Sequence, residues 1–347
     1  MKNEIYLIGE IGQNHNGSTD IAKQLVDVVA RPVVDRLFNK ELSGMNAVKL
    51  TKRDLKQELS TSMMNKPYNS PHSFGKTYGE HRAFLELSDE EHKEIYLYAK
   101  SKKLDFVETI CATGAMSLLK LFTPDRLKVA SRDLTNLPLL NALAETRIPI
   151  ILSTGMGGDK EIEDALEIIT RYHSSISILH CVSEYPTQYE NVNLNTISYL
   201  KANYSDYIIG YSDHTIGIAI PIAAVALGAE VIEKHITLDR AMKGSDHRGS
   251  LGIDGIERMV RDIRNLEDAM GEKEIFISPS VAESRKKLER SLATTGDLQS
   301  GHILTARDLH LLSPGDGFSY AERDKVIGKK LIRALPKDEI IYPQNIE

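Results

Sequence analysis

A chain of 347 residues has room for one large domain and one small one, and 41% hydrophobic with 27% charged residues is the balance of an ordinary globular protein. A formal net charge of −6 leaves no broad basic surface and argues against nucleic acid as a partner. Two cysteines, Cys111 and Cys181, are too few for a disulfide framework and point to a reducing, cytoplasmic setting. Met1-Lys2-Asn3-Glu4 leads straight into a strand pattern and no apolar run of about 18 residues follows, so neither a signal peptide nor a membrane span is expected.

In chain order, the hydrophobic periodicity predicts a strand at 5–11, a helix at 19–30 and a strand at 47–50, with 31–44 an excursion or a helix extension. The polar, turn-rich stretch 51–87 contains Lys66-Pro67-Tyr68-Asn69-Ser70-Pro71-His72 and reads as a long loop, a candidate lid. A helix at 89–101 and a strand at 105–110 follow, then helix 115–121, strand 127–131, helix 137–145 and strand 149–153. The series continues with helix 159–172, strand 176–181, helix 193–203, strand 208–211, helix 216–227, strand 231–235 and helix 253–269. Eight strands, each followed by a helix, is the count for a closed (β/α)8 TIM barrel, and it is preferred here over a doubly wound open sheet. After Gly271 the pattern changes. Residues 272–287 are charged and read as a linker; 288–347 carry short strands and turns, a small mostly-β domain with a marginal core of its own. The expected division is a catalytic barrel at 1–271, the linker, and the small domain.

The strand ends are polar where an inert core strand would end in glycine or an apolar residue. They offer Glu10, Lys49, Lys128, Ser131, Asp133, Ser153, His180, Ser183, Tyr185, Ser212, Asp213, His214, Glu233, Lys234 and His235, with Asp246 just beyond the last. In parallel α/β folds ligands bind at the strand C-termini. His214 and His235 close adjacent strands of one strand–helix–strand unit, and two neutral imidazoles suit a divalent transition metal. Lysines 49 and 128, facing the same pocket, require anionic partners, because an unpaired ammonium in low dielectric is costly. With Ser131, Ser153 and Ser212 they suit a ligand bearing phosphate and carboxylate, and the Ser153-Thr154-Gly155 turn opens a helix whose first amides can add donors.

Six motifs carry a resemblance. Glu10-Ile11-Gly12-Gln13-Asn14-His15-Asn16-Gly17, Ser153-Thr154-Gly155-Met156, Leu179-His180-Cys181-Val182-Ser183-Glu184-Tyr185-Pro186, Gly210-Tyr211-Ser212-Asp213-His214-Thr215, Glu233-Lys234-His235-Ile236-Thr237-Leu238-Asp239 and Lys243-Gly244-Ser245-Asp246-His247 resemble, in order along the chain, the motif series of the sialic acid (N-acylneuraminate) synthases. The loop from Tyr68 to Arg82 is similar to the animal-like branch, and the tail resembles that family's antifreeze-like domain. The resemblance implies condensation of phosphoenolpyruvate with an N-acylmannosamine-type aldose or its 6-phosphate, plus water, to a 2-keto-3-deoxy nonulosonate and phosphate. It implies Mn²⁺ or Mg²⁺ on His214 and His235 with Glu10 close by. Lys49, Lys128, Ser131, Ser153, Ser183 and Ser212 would take the phosphate and carboxylate. Tyr185 and Asp246 would contact sugar hydroxyls, and Asp133 would reach the acceptor. Glu10 is the candidate proton carrier, and Glu10, Lys128 and Asp133 form the catalytic set. A domain-swapped homodimer is the implied assembly.

The sequence departs from that family on the acceptor side. Lys49-Leu50-Thr51 stands where members usually have Lys-Phe-Gln, and Glu108-Thr109-Ile110-Cys111-Ala112 where bacterial members often have Ser-Thr-Pro-Phe-Asp. Ser183 replaces an Asn found in some members, and Ser313 an Arg in the tail. The acceptor is therefore expected to be a variant of plain N-acetylmannosamine. The alternatives are a metal-dependent aldolase that uses no phosphoenolpyruvate, with Lys128 or Lys49 as Schiff base, and a carbohydrate-binding protein without catalysis.

Overall fold

The computed structural model describes residues 4–347; residues 1–3, on which part of the reading of the N-terminus rested, lie outside it. Eight parallel strands close into a barrel: β1 (Tyr6–Gly12), β2 (Ala47–Lys52), β3 (Asp105–Ile110), β4 (Arg126–Val129), β5 (Ile150–Ser153), β6 (Ile176–Cys181), β7 (Ile208–Asp213) and β8 (Val231–His235). Each pairs with its neighbour in sequence, and β1 pairs with both β2 and β8, so no edge is left to cap.

The helices follow from local signals plus one buried face. Asp89–Ser101 starts at a capping box of Ser88 and Glu91 and buries His92, Ile95 and Ala99, the spacing of a helical stripe. Ile253–Ala269 buries Ile256, Met259, Val260, Ile263 and Arg264. The Arg264 guanidinium is the polar exception on that face. It donates to the carbonyls of Ile5 (2.9 Å) and Gly44 (3.0 Å), backbone acceptors at the strand N-termini. The same end of the barrel is closed from inside by Tyr6, whose hydroxyl donates to Asp105 (2.8 Å) and whose ring lies under Arg126 (4.6 Å).

Several segments differ from the periodicity. Residues 31–44 form a hairpin, Val33–Asp35 with Lys40–Leu42, because the Asp35 carboxylate accepts the Leu37 and Phe38 amides and tightens the turn. The 51–87 loop contains helices Leu55–Glu58, Thr61–Met64 and Tyr78–Leu85, each started by a side-chain cap from Asp54, Ser60 or Thr77. Its middle is held by aromatic stacking of Phe74 on Phe84 and on His81. Thr113–Lys120 is 3-10 rather than α, and β7 runs two residues further than its apolar run suggests, to Asp213.

The chain divides into two compact units at Gly271/Glu272. In the second, the stretch 272–287 is not a bare linker, since Ala282–Leu288 is helical. Ser291–Thr294 pairs antiparallel with Leu309–Leu312, a strand the periodicity did not reveal, over a small core of Leu292, Leu304, Val326, Leu331, Leu335 and Ile341.

Candidate active site

Side chains on a strand alternate between faces, and this places the site. Ile8, Ala47, Val107, Ile151, Leu179 and Val231 form a small apolar cluster separate from the main core. Two residues further along those strands stand Glu10, Lys49, Thr109, Ser153, Cys181 and Glu233. With Lys128 and Ser212 they give one side chain per strand around the floor of a cavity of ≈ 390 Å³ at the strand C-termini.

The floor is a buried ionic lattice. Lys49 pairs with Glu10 and lies 3.8 Å from Glu233; Lys128 lies 4.0 Å from Glu233, which also accepts from Ser212 Oγ at 2.9 Å. Burial pushes Glu10 up, to about 7, against the pull of Lys49. Burial also opposes charge on Glu233, but Lys128 and Lys49 outweigh it and hold that carboxyl at about 2. Lys49 stays high because Glu10 and Glu233 overcome its burial, whereas burial draws Lys128 down. Beyond the ion pairs, several atoms here lack a hydrogen-bond partner: Glu233 Oε2, Ser153 Oγ and His235 Nδ1. Unsatisfied buried polar atoms are uncommon in native interiors, and three in one cavity mark a place made for a ligand.

His214 and His235 meet at the mouth between β7 and β8, their ring centroids 5.6 Å apart, and the Tyr185 ring lies 4.0 Å from His214. His214 Nδ1 is bonded to the Val182 carbonyl (2.7 Å), which leaves Nε2 as its free nitrogen. Burial lowers His235 to about 4, so its imidazole is neutral at pH 7. Asp246 lines the same cavity, its carboxylate accepting from Ser245 Oγ at 2.7 Å. Among the described residues no group of three or more His, Cys, Asp or Glu converges as a metal centre.

Ser131 and Ser183 line the wall where β5 ends. A Cβ on Gly155 would stand 2.7 Å from Ser183 Oγ, 2.9 Å from Ser131 Oγ and 3.1 Å from the Cys181 carbonyl; only glycine allows this turn to come so close. Its amide donates to Ser131 Oγ at 3.0 Å. Of the twelve residues expected in the site, eleven line the cavity; Asp133 does not. It sits in the 3-10 turn Ser131–Asp133 beside Arg132, and Arg132 is the charge that faces inward.

Three other strand-end polar residues face outward. Asp213 and Lys234 form a fully buried pair at 2.5 Å on the outside of the barrel. Asp213 also accepts from Tyr211 Oη (3.0 Å) and the Thr215 amide (2.9 Å). His180 bonds the Val192 carbonyl (2.7 Å). Glu233, Thr109, Arg53, Arg82 and Arg132 join the site without having been assigned to it. The parity of β8 was the available signal for Glu233, since it lies two residues before His235. Arg53 and Arg132 had none, entering just past the ends of β2 and β4; Arg82, on the helix Tyr78–Leu85, closes the loop motif that began at Tyr68.

A closed parallel barrel with this charged, partly unsatisfied cavity at its C-terminal mouth defines a (β/α)8-barrel enzyme. The chain belongs to the NeuB family, which it matches over residues 39–275, and residues 289–347 match the SAF domain. It is 34% identical over 344 residues to the N-acetylneuraminate-9-phosphate synthase of Homo sapiens, covering 99% of this chain and 92% of that protein. It is also 34% identical over 339 residues to the N,N'-diacetyllegionaminic acid synthase of Campylobacter jejuni, covering 96% and 98%. The crystal structure of N-acetylneuraminic acid (sialic acid) synthetase from Leptospira borgpetersenii in complex with citrate matches with a TM-score of 0.66 at 31% identity, over 81% of this chain and 90% of that one.

Proposed function

We propose that residues 1–271 catalyse condensation of phosphoenolpyruvate with the open-chain aldehyde of an N-acylmannosamine-type aldose, plus water, releasing phosphate and a 2-keto-3-deoxy nonulosonate. The observation that carries this reading is the eight-strand floor, where two buried lysines and a ring of hydroxyls lie beside a pair of imidazoles. The relatives, named as synthases of neuraminate-9-phosphate and diacetyllegionaminic acid, support the product class.

The residues divide the work by position. Lys49 and Lys128, with Ser131, Ser153, Ser183 and Ser212, bind the phosphate and carboxylate of phosphoenolpyruvate; the partnerless Ser153 hydroxyl is a ready donor. Tyr185 and Asp246, beside the imidazoles, orient the sugar hydroxyls. C3 of the enol then attacks the aldehyde carbon, water adds at C2, and the tetrahedral intermediate expels phosphate. Glu10, with a carboxyl poised near neutrality, carries a proton in these steps. Fixing two reactants against preorganised charge is the larger part of such catalysis.

His214 and His235 fit a divalent cation, Mn²⁺ or Mg²⁺: one has Nδ1 anchored on a carbonyl, the other is buried, neutral and has an unpartnered nitrogen. When bound, such an ion polarises a carbonyl and acidifies bound water. The proposed setting is cytoplasmic, in keeping with two buried free cysteines, and no helix among the described residues is long and apolar enough to cross a membrane. The proposed assembly is a domain-swapped homodimer; a purely monomeric species in sedimentation of the full chain at micromolar concentration would refute it.

The functional test is phosphate release from phosphoenolpyruvate with Mn²⁺ and a panel of aldoses, with the product identified by mass spectrometry. The expected result is stoichiometric phosphate and a keto acid enlarged by three carbons. No phosphate with any aldose overturns the reading. The depressed Lys128 favours one rival, a Schiff-base aldolase; borohydride trapping of a pyruvate adduct would establish it instead.

A further inference from the structure

Asp246 reaches the cavity from an irregular segment between β8 and the helix Ile253–Ala269, so its place depends on what that segment is tied to. The ties come from the loop that follows β1. Asn14 is buried and donates through Nδ2 to the Ile236 carbonyl (2.7 Å) and to Ser250 Oγ (2.9 Å). The Ser250 hydroxyl donates in turn to the carbonyl of Asp246 itself, at 2.7 Å. Asn16 donates through Nδ2 to the Lys243 carbonyl (3.0 Å), and its Oδ1 faces His247 Nε2 at 3.2 Å. The two asparagines thus hold the chain on both sides of Asp246.

The direction of each bond follows from the donors available. Asn16 Nδ2 is taken by a carbonyl, so its Oδ1 is the acceptor and His247 carries its proton on Nε2. Nδ1 then accepts from the Thr237 hydroxyl, at 2.7 Å. His247 and Thr237 are fully buried, and an imidazole with both nitrogens satisfied has no bond left for a substrate. Asn14, Asn16 and His247 stand outside the cavity lining, whereas their neighbours Gln13 and Asp246 are part of it. The backbone is shaped for this contact. Asn16 has a φ of 51°, which asparagine tolerates, and a Cβ on Gly244 would stand 2.6 Å from His247 Cδ2.

We infer that Asn14, Asn16 and His247 are positioning residues that aim the Asp246 carboxylate into the cavity by clamping the loop after β8 to the loop after β1. This rests on Asp246 orienting the sugar hydroxyls, as proposed above. A carboxylate carried on a loop can orient a ligand only if the loop is held to within about 0.5 Å. The three residues touch no substrate, and their effect on the reaction passes through Asp246.

Two measurements on the full chain test the clamp: hydrogen–deuterium exchange, and steady-state phosphate release with Mn²⁺, phosphoenolpyruvate and either N-acetylmannosamine or its 6-phosphate, whichever is turned over. Asn16→Gly removes both side-chain bonds and suits the left-handed backbone. It should lower kcat/KM for the sugar about tenfold and leave the KM for phosphoenolpyruvate within about twofold. In an Asp246→Asn background the same change should lower it by less than about twofold more, because residues that act as a unit are not additive. Amides of residues 239–249 should exchange about fivefold faster in Asn16→Gly. Ser250→Ala, which cuts the Asn14 branch, gives the same readings if Asn16→Gly does not fold. An undiminished loss in the Asp246→Asn background, an equal rise in the KM for phosphoenolpyruvate, or unchanged exchange overturns the inference. If the wild-type chain releases no phosphate with either sugar, the reading of the reaction falls instead, and the exchange rates alone decide whether the clamp exists.

Discussion

Asp213→Ala should show that the outward-facing ion pair holds the imidazoles in place. Asp213 and Lys234 have no exposed side-chain surface, and each directly precedes one of the two histidines in sequence. Asp213 accepts from the Lys234 ammonium, the Tyr211 hydroxyl, and the amide and hydroxyl of Thr215. Removing it leaves Lys234 with the Thr215 carbonyl as its partner and strands two buried hydroxyls and a buried amide. Breaking a buried ion pair costs about 3–5 kcal/mol, and orphaned neutral donors add about 1–3 kcal/mol each where they cannot relax. The terms overlap, so about 4–5 kcal/mol is the expected loss, a large part of a stability on the order of 5–15 kcal/mol. Asp213→Asn keeps an acceptor oxygen and should lose roughly half as much. Urea denaturation monitored by circular dichroism measures the first quantity. Mn²⁺ binding by electron paramagnetic resonance, at a urea-free temperature where the variant is still folded, measures the second; about a tenfold weakening is expected, the scale seen for residues that orient metal ligands. A stability loss below about 1 kcal/mol together with unchanged Mn²⁺ affinity would refute the argument that this pair positions the site.

Lys128→Ala and His214→Ala should each lower phosphate release by about 10²–10³-fold with the far-ultraviolet spectrum retained, since each removes preorganised charge or a ligand from the reacting centre; wild-type turnover in either variant would remove that residue from the mechanism. Gly155→Ala should raise the KM for phosphoenolpyruvate by about tenfold at a stability cost of about 1–2 kcal/mol, because the new methyl displaces Ser131 and Ser183; an unchanged KM would show that those hydroxyls do not bind it. His15 is buried, accepts the Gly17 amide at Nδ1 (3.0 Å) and is lowered, chiefly by burial, to about 3. The unfolded chain therefore binds a proton there that the folded chain does not, so stability falls as pH drops from about 6.5 toward 3. His15→Asn keeps an acceptor for the amide and should flatten that acid limb in denaturation curves taken between pH 7 and pH 4; an identical slope would place the acid sensitivity elsewhere.

Much of the architecture was legible because hydrophobic periodicity is a local property. The bounds of β3, β6 and β8, and of the helices Asp89–Ser101, Leu137–Glu145 and Ile253–Ala269, coincide with the apolar stripes that predicted them. The loop at 51–87 was legible as an excursion but its three short helices were not, because Phe74, Phe84 and His81 stack only once the chain has folded back. The hairpin at 31–44 depended on one carboxylate closing a turn, a signal too small to outweigh the ambiguity of the segment.

For the site, the run of polar strand ends, the paired histidines and the two lysines were all visible along the chain, since polar residues at the ends of buried strands are anomalous in themselves. Which of them look into the barrel was decided by closure. Ser212 and Asp213 are neighbours, as are Glu233 and Lys234, and a period of two sends one of each pair to the cavity and the other against the helices. Ring closure at β1–β8 sets that parity for all eight strands together, which is why Glu10, Lys49, Lys128 and Glu233 form one lattice. Asp133 lies past the end of β4, and the 3-10 turn there brings Arg132 rather than Asp133 to the cavity.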